Sequence, residues 1–310
     1  MIITITLNPS QDKTLQVDGL KLNAICRADV LKITAGGKGI NVSRAVNGLE
    51  GGTQALTLLG GATGRTIAGL LKNEGIAFRY TAIAGESRTC LSLIDSVKKT
   101  ETVINENGPE VTEREQTNFK SMYTRAVGKE DIVLISGSAA KGIDSAIFHE
   151  LIETAHRKGA VVILDASGEC LTAGITAVPD VLKINKQELS RLTGKSLNTQ
   201  SKTIEEMKKL AATGIGRVII TDGGRQTLAI ARGHAWSVTP PHVEAVSTLG
   251  SGDCVSAVIA MGIEGDRPFE DTLVDAAAAG TQNALSYGAG FIDKEGVRKL
   301  SELTRIKRVF

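Results

Sequence analysis

The chain lacks the residue pairs and runs that mark several protein classes. Its four cysteines, Cys26, Cys90, Cys170 and Cys254, are scattered through 310 residues and form no C-x-x-C pair. That spacing fits neither a disulfide framework nor a cysteine zinc site, and it points to a reducing compartment. Neither sign of charge is in excess, because 36 lysines and arginines face 34 acids for a net charge of +2. Nothing in that balance calls for nucleic acid or an anionic membrane, so a small-molecule ligand is expected. No apolar run approaches the roughly 20 residues of a membrane-spanning helix. Met1 to Leu7 alternates Ile and Thr without a basic leader or a cleavage site, so it reads as a strand and not as a signal peptide. A soluble, cytoplasmic protein is expected.

What is present is a rhythm of strands and helices. The β-branched runs Ile2 to Leu7, Ile132 to Ser136, Val161 to Asp165, Val181 to Ile184 and Val218 to Thr221 read as buried parallel strands. Between them, Ala146 to Lys158 and Ile204 to Thr213 carry apolar residues at helical spacing and end near Gly159 and Gly214. The alternation predicts an α/β fold, a doubly wound parallel sheet between layers of helices. Two segments, Lys13 to Ile33 and Arg88 to Ile104, hold strand-like stretches with no intervening helix. They predict a small separate β-sheet at 13–33 and 88–104, with 1–12, 34–87 and 105–310 forming the main unit. Since the two segments flank a glycine-rich stretch in the sequence, the small sheet is expected to lie over the cleft as a lid.

Two glycine clusters carry the chemistry. Thr248-Leu249-Gly250-Ser251-Gly252-Asp253 precedes a helix-compatible run, Cys254 to Ile263. Glycines let a backbone approach a ligand closely, and free N–H groups at a helix start favour an anion. Asp253 would then face that anion, or it would simply cap the helix. The second cluster, Ala35-Gly36-Gly37-Lys38-Gly39-Ile40-Asn41-Val42, also enters a helix, Val42 to Leu49. Its N–H groups, Lys38 and the Asn41 amide could hold sugar hydroxyls, or the segment could be a tight turn with a solvated lysine. It is not a P-loop, and the first strand leads into Asn8-Pro9 and not into a dinucleotide fingerprint.

Taken together and in this order, the two clusters resemble the signature motifs of the PfkB, or ribokinase-like, family of carbohydrate kinases. The resemblance extends through Thr6-Leu7-Asn8-Pro9 with Asp12, Ile135-Ser136-Gly137-Ser138, Asn185-Lys186-Gln187-Glu188, Thr221-Asp222-Gly223-Gly224 and Asn283, and so covers essentially the whole chain. The opening Thr-Leu-Asn-Pro and Asn105-Glu106-Asn107-Gly108-Pro109 look most like the 1-phosphofructokinase and tagatose-6-phosphate kinase branch.

The resemblance implies ATP- and magnesium-dependent phosphoryl transfer to a hexose phosphate, with a β-sheet lid that in many relatives also forms a dimer contact. It implies that Asp253 is the catalytic base and that the N–H groups of Gly250, Ser251 and Gly252 form an anion hole. Asn185 and Glu188 would organise magnesium through water, although the same spacing also describes a capping box. Lys183, Thr221, Gly223, Gly224 and Asn283 would hold the nucleotide. Asp222, Gln226 and Ile184 depart from the family's usual residues at those places. On the acceptor side the implied residues are Asp12, Gly36, Gly37, Lys38, Asn41 and Ser138, with Arg27 and Arg88 for the substrate phosphate.

Outside these motifs, His149 and His156 are seven residues apart, too far along a helix to share one metal ion, and are read as surface or packing residues. Trp236 and Cys254 are read as packing. The competing functions are a kinase of an unphosphorylated sugar or nucleoside, a silent sugar-phosphate sensor that would be expected to lack the base, and, more remotely, a dehydrogenase on a similar sheet.

Overall fold

The computed structural model describes residues 1–310. The strands are β1 (Ile2–Thr6), β2 (Ser10–Val17), β3 (Asp29–Gly36), β4 (Thr53–Gly60), β5 (Ala77–Ile83), β6 (Arg88–Asp95) and β7 (Thr100–Asn105). They continue with β8 (Ile132–Gly137), β9 (Val161–Ala166), β10 (Val181–Asn185), β11 (Arg217–Thr221), β12 (Thr227–Ala231), β13 (His234–Thr239) and β14 (Arg305–Arg308). The helices are α1 (Lys38–Gly48), α2 (Gly61–Asn73), α3 (Glu113–Ala126), α4 (Ala146–Arg157) and α5 (Gly168–Ile175). They continue with α6 (Lys186–Thr193), α7 (Gln200–Ala212), α8 (Ser251–Glu264), α9 (Phe269–Asn283) and α10 (Lys294–Ser301).

Ten strands form one sheet in the order β14-β13-β12-β11-β10-β9-β8-β1-β4-β5. From β5 to β11 every pairing is parallel, and β12 to β14 add an antiparallel edge. Side chains alternate between faces along each strand. Ile3, Ile5, Val133, Ile135, Val162 and Leu164 pack with α3 to α7 on one side, around the fully buried Phe119, Tyr123 and Phe148. Ile2, Ile132, Leu134 and Ile163 pack on the other side with the small-residue helices α1, α8 and α9. The layers are therefore helix, sheet, helix, as the alternation of strands and helices predicted. Chain order reverses at β1, which lies between β8 and β4. Open α/β sheets bind ligands beyond the carboxyl ends of their strands at such a reversal.

A second sheet of four strands runs β3-β2-β6-β7. β2 pairs in parallel with β6 from Ser10 and Arg88 onward, and antiparallel with β3 from Ser10 and Gly36. Because that pairing starts at Ser10, the small sheet begins before Lys13 and runs past Ile33. Asp12 accordingly sits within the small sheet and not at the end of the main unit. The antiparallel strands β12 to β14 were not legible either, since short strands such as Thr227-Leu228-Ala229-Ile230-Ala231 lack a distinctive period. No helix is long and apolar enough to cross a membrane.

Candidate active site

Beyond the carboxyl ends of β9 and β10, where α1 and α8 begin, four charged side chains meet. Asp165, at the end of β9, is completely buried. Lys38 Nζ donates to its Oδ1 at 2.7 Å, while Lys183 Nζ and Ser256 Oγ donate to its Oδ2 at 2.7 and 2.8 Å. Burial alone would raise a carboxylate's pKa, but the two ammonium groups win and hold Asp165 well below the usual range. Lys38 shows the mirror effect, since burial would lower its pKa, yet Asp165, Asp253 and Glu188 hold it above its ordinary value.

Asp253 behaves differently. It lies in the first turn of α8, 5% exposed, and its Oδ2 accepts from Asn41 Nδ2 at 2.8 Å. Burial and the charge of Asp165 push it up, whereas Lys38, Lys183 and the Asn41 hydrogen bond pull it down, and the balance is a pKa of about 6. Two carboxylates in one cluster are thus driven apart, one fixed as an anion and one able to exchange a proton near neutral pH, which is how acid–base roles are commonly divided.

The start of α8 leaves backbone N–H groups free, as helix N-termini do. The N–H groups of Gly250 and Gly252 have no internal partner, whereas that of Ser251 donates to Thr248 O at 3.3 Å. Gly250 takes φ +82°, the left-handed conformation that glycine adopts freely. A side chain at Gly252 would place its Cβ 2.8 Å from Lys183 Nζ, so the missing side chain leaves room for the ammonium group beside the start of the helix.

These residues line a cavity of about 1010 Å³. Asp12, Gly37, Lys38, Asn41 and Arg88 line it together with Gly250 to Asp253. Lys183, Asn185, Thr221, Gly223 and Gly224 belong to the same wall system. The volume is at or above the top of the range for a single small ligand, so there is room for two bound side by side. The small sheet contributes Ser10, Asp12, Arg88, Cys90, Leu91, Ser92, Val103 and Asn105 to the lining. Asp12 accepts from Ser10 Oγ at 2.5 Å. Burial raises its pKa, partly offset by the Ser10 bond and the charges of Arg44 and Arg88. Arg88 donates to Asn8 O through Nε (3.2 Å) and Nη2 (3.0 Å) and to Glu106 O through Nη1 (3.2 Å), which fixes the plane of the guanidinium. Glu101 on β7 accepts from Ser92 Oγ and, at 3.0 Å, from Ser247 Oγ, tying the small sheet to the loop before α8.

Five residues from the sequence reading lie off the lining. Asn283 is completely buried. Its Nδ2 donates to Leu249 O (2.8 Å) and Ser251 Oγ (3.2 Å), and its Oδ1 accepts from Gly290 N (2.8 Å). With both ends of the amide used internally, Asn283 braces the glycine loop from behind the cavity lining. Arg27 is exposed in the irregular segment between β2 and β3, and Ser138 is exposed just past β8. Gly36 lies immediately behind the lining, its backbone against the Asp12 carboxylate. Glu188 also stands back. Asn185 Oδ1 accepts from Glu188 N (2.9 Å) and Glu188 Oε2 from Asn185 N (2.8 Å), so the pair makes the capping box that opens α6. Glu188 Oε1 remains outside that box, 3.9 Å from Lys38 Nζ.

Sequence reasoning did not find Asp165, Ser256 or Arg44. The available signal for Asp165 was an acid closing an apolar parallel strand, the position that faces the crevice. His149 bonds Thr176 and His156 bonds Asp180, two separate partners, and no three acidic, histidine or cysteine side chains converge on a metal position.

Residues 3–295 match the model of the pfkB family carbohydrate kinases, and the chain belongs to that family. It is a carbohydrate kinase, a phosphotransferase. Among solved structures it is similar to phosphofructokinase-2 from Escherichia coli in complex with substrates and products, at 25% identity and a TM-score of 0.93, covering 97% of this chain and 98% of that one. It is likewise similar to a Thermotoga maritima protein described as a possible 1-phosphofructokinase, at 26% identity and a TM-score of 0.90, covering 100% of both chains. The Escherichia coli protein has also been seen in a tetrameric inhibited form, at 25% identity, a TM-score of 0.91 and the same coverage as its substrate complex.

The raised pKa of Asp253 has a consequence for stability. The unfolded chain ionises this carboxyl near 3.8 and the folded chain near 6. The stabilisation from the protonated folded form is therefore full below about pH 4 and is lost as pH rises through about 6. Asp253→Asn removes the buried charge, so above pH 7 the variant should be more stable than wild type by on the order of 1–3 kcal/mol, a few degrees in Tm. Near pH 4 the two should melt together. Thermal unfolding of both proteins across pH 4 to 8 checks this, and equal Tm values throughout would contradict it.

Proposed function

We propose that the chain transfers the γ-phosphoryl group of ATP, with Mg2+, to a hydroxyl of a phosphorylated ketohexose, fructose 1-phosphate or tagatose 6-phosphate, giving a bisphosphate. The observation that carries the reading is Asp253, a buried carboxyl of pKa about 6 beside two free backbone N–H groups on the cavity wall. Asp253 takes the proton of the acceptor hydroxyl as its oxygen bonds to the γ-phosphorus. The bond from that phosphorus to the bridging oxygen breaks, and ADP leaves. The N–H groups of Gly250 and Gly252, with Ser251 beside them and the ammonium of Lys183, meet the charge of the transferring group.

Thr221, Gly223 and Gly224, on the turn between β11 and β12, lie at the nucleotide end of the cavity. Asp12, Gly37, Lys38 and Asn41 lie at the acceptor end, and Arg88 offers its remaining N–H groups to the substrate's own phosphate. With no cluster of three acids, a magnesium ion would take its ligands mainly from phosphate oxygens and water, as it commonly does. Asn185 and the free Oε1 of Glu188 suit its water shell. When bound, the ion neutralises charge on the phosphate oxygens and holds them in line.

ADP release with magnesium ATP should depend on a phosphorylated ketohexose, measured against fructose 1-phosphate, tagatose 6-phosphate, fructose 6-phosphate, free fructose and ribose. Asp253→Asn should lower kcat by about 10²–10⁴-fold. In wild type, kcat should rise with pH through a midpoint near 6 set by the Asp253 carboxyl. A folded, ATP-binding protein that is silent with every ketohexose phosphate would sink this reading.

Arg88→Ala should raise KM for the phosphorylated acceptor roughly 10–100-fold, the worth of a charged hydrogen bond, with KM for ATP unchanged. An unchanged acceptor KM would instead favour a kinase of an unphosphorylated sugar.

On the face away from the cavity, the outer strands of the small sheet expose Val30 (59%), Ile33 (41%) and Ile104 (51%). Such a patch supports a homodimer through the lid. Sedimentation at micromolar concentration should give a dimer that Ile104→Asp shifts toward monomer; a wild-type monomer would contradict it.

A further inference from the structure

Asn41 has two nearly isosteric ends, a donor and an acceptor. Turned over, it would set Oδ1 against the Asp253 carboxylate. Arg44 lies three residues further along α1, one helical turn away and 5% exposed. Its Nη1 donates to Asn41 Oδ1 (3.0 Å) and to Ala289 O (2.8 Å), its Nη2 to Ala35 O (2.5 Å) and its Nε to Glu74 Oε2 (2.7 Å). The Phe291 ring covers the guanidinium at 4.8 Å. A guanidinium has no acceptor, so the amide atom facing it must be oxygen, and the NH₂ group is thereby delivered to Asp253 at 2.8 Å.

We propose that Arg44 is a positioning residue for phosphoryl transfer, one that fixes the Asn41 amide so that its Nδ2 faces the Asp253 carboxylate. The inference rests on the reading of Asp253 as the base and deepens it. Arg44 does not itself line the cavity, and it reaches the Asp253 carboxylate through Asn41, to which it donates. Its four acceptors come from four places, the end of β3, α1, the cap of α2 and the loop after α9, so its own orientation is fixed independently of ligand. The Asn41 donor opposes the upward push that burial exerts on the base. Without Arg44 the amide is free to turn, and the base is left with less support for its charged form.

Charged groups facing this pair are few. Asp253 is met by Lys38 from α1, Asp165 from β9 and Lys183 from β10. Arg44 acts at longer range on Asp12 of β2 and Lys32 of β3, and pairs with Glu74. Arg44→Met also removes its charge from Asp12 and Lys32 and the partner of Glu74, and the Asn41→Ala background separates those effects from the path through Asn41. The substrate phosphate also titrates near pH 6, but identically for every variant, so a difference between variants belongs to the enzyme.

The test is kcat against pH, from about 5 to 9, for wild type, Arg44→Met, Arg44→Lys, Asn41→Ala and the double variant Asn41→Ala with Arg44→Met. Arg44→Met is expected to move the acid limb upward by about one pH unit, hence about tenfold in kcat below the limb, with KM for ATP unchanged. Arg44→Lys, which keeps one donor near Asn41, should recover part of that shift. In the Asn41→Ala background the limb has already moved, and Arg44→Met should move it no further. A limb unmoved in Arg44→Met while kcat or Tm falls would overturn the proposal, as would shifts that add in the double variant. Should Arg44→Met fail to fold, Arg44→Lys against wild type and against Asn41→Ala decides the matter by the same limb. Full activity in Asp253→Asn would sink the base reading itself, whereas a dead Asp253→Asn with an immobile limb in the Arg44 variants sinks only this inference.

Discussion

Asp165 is an anion with no access to water, and two lysines and a serine are bonded to it at 2.7 to 2.8 Å. A buried ion pair is expensive to desolvate and worth little to net stability, but breaking one by removing a partner is strongly unfavourable. The cluster is therefore a poor device for holding the fold together and a good one for holding two ammonium groups at fixed places inside a cavity wall. Counting Asp253, the cluster has two carboxylates and two ammonium groups and is neutral when both acids are ionised. If Asp253 takes a proton, the same four groups carry one positive charge. A base that accepts a proton here leaves its surroundings more cationic at the moment a phosphoryl group arrives, and the electrostatics of the site and the direction of the proposed transfer point the same way.

The fold places these groups by its most ordinary features. β9 and β10 run parallel and adjacent, so Asp165 and Lys183, near their carboxyl ends, come together without any special turn. Lys38 and Asp253 arrive from the opposite direction, each in the first turn of a helix. Helices α1 and α8 pack in one apolar cluster that includes the small residues Ala45, Ala257 and Ala260. A larger residue at these positions would not merely overpack a core; it would separate Asn41 from Asp253, whose hydrogen bond spans the gap between the two helices.

The sheet, most of its strands and the two glycine loops were legible because each has a local signature: an apolar β-branched run, a helical period, or glycines ahead of a helix. Asp253 was singled out for its position in such a loop. Asp165 was not, because one acid at a strand end looks the same in sequence whether it faces water or two lysines; only the neighbouring strand and helix decide. Arg44 was hidden for a related reason, since an arginine inside a helix normally reads as a solvated charge. Asn283 shows what a motif match leaves out. Its motif match placed it near the nucleotide, but motif matching carries no information about burial, and the structure uses both ends of its amide to brace Leu249, Ser251 and Gly290. Of the two readings of Asn185 and Glu188, the structure holds the capping box. The box consumes Glu188 Oε2 and leaves Oε1 toward Lys38.

The division of labour between the two sheets bears on how a kinase of this build avoids spending ATP on water. The charge cluster and the free N–H groups belong entirely to the main unit, whereas Asp12 and Arg88 stand on β2 and β6 of the small sheet. If that sheet acts as the proposed lid, lifting it would take Asp12 and Arg88 away while leaving Lys38, Asn41 and Asp253 in place. The bond from Glu101 to Ser247 ties the sheet to the loop that carries Leu249 and Gly250, and Leu249 N donates to the same Ser247 hydroxyl at 3.3 Å. A displaced lid would therefore also release one support of the loop that shapes the anion site. Assembly of the acceptor site and ordering of the phosphoryl site become one event, and water, which engages neither Asp12 nor Arg88 in place of a sugar phosphate, has no binding energy with which to drive it.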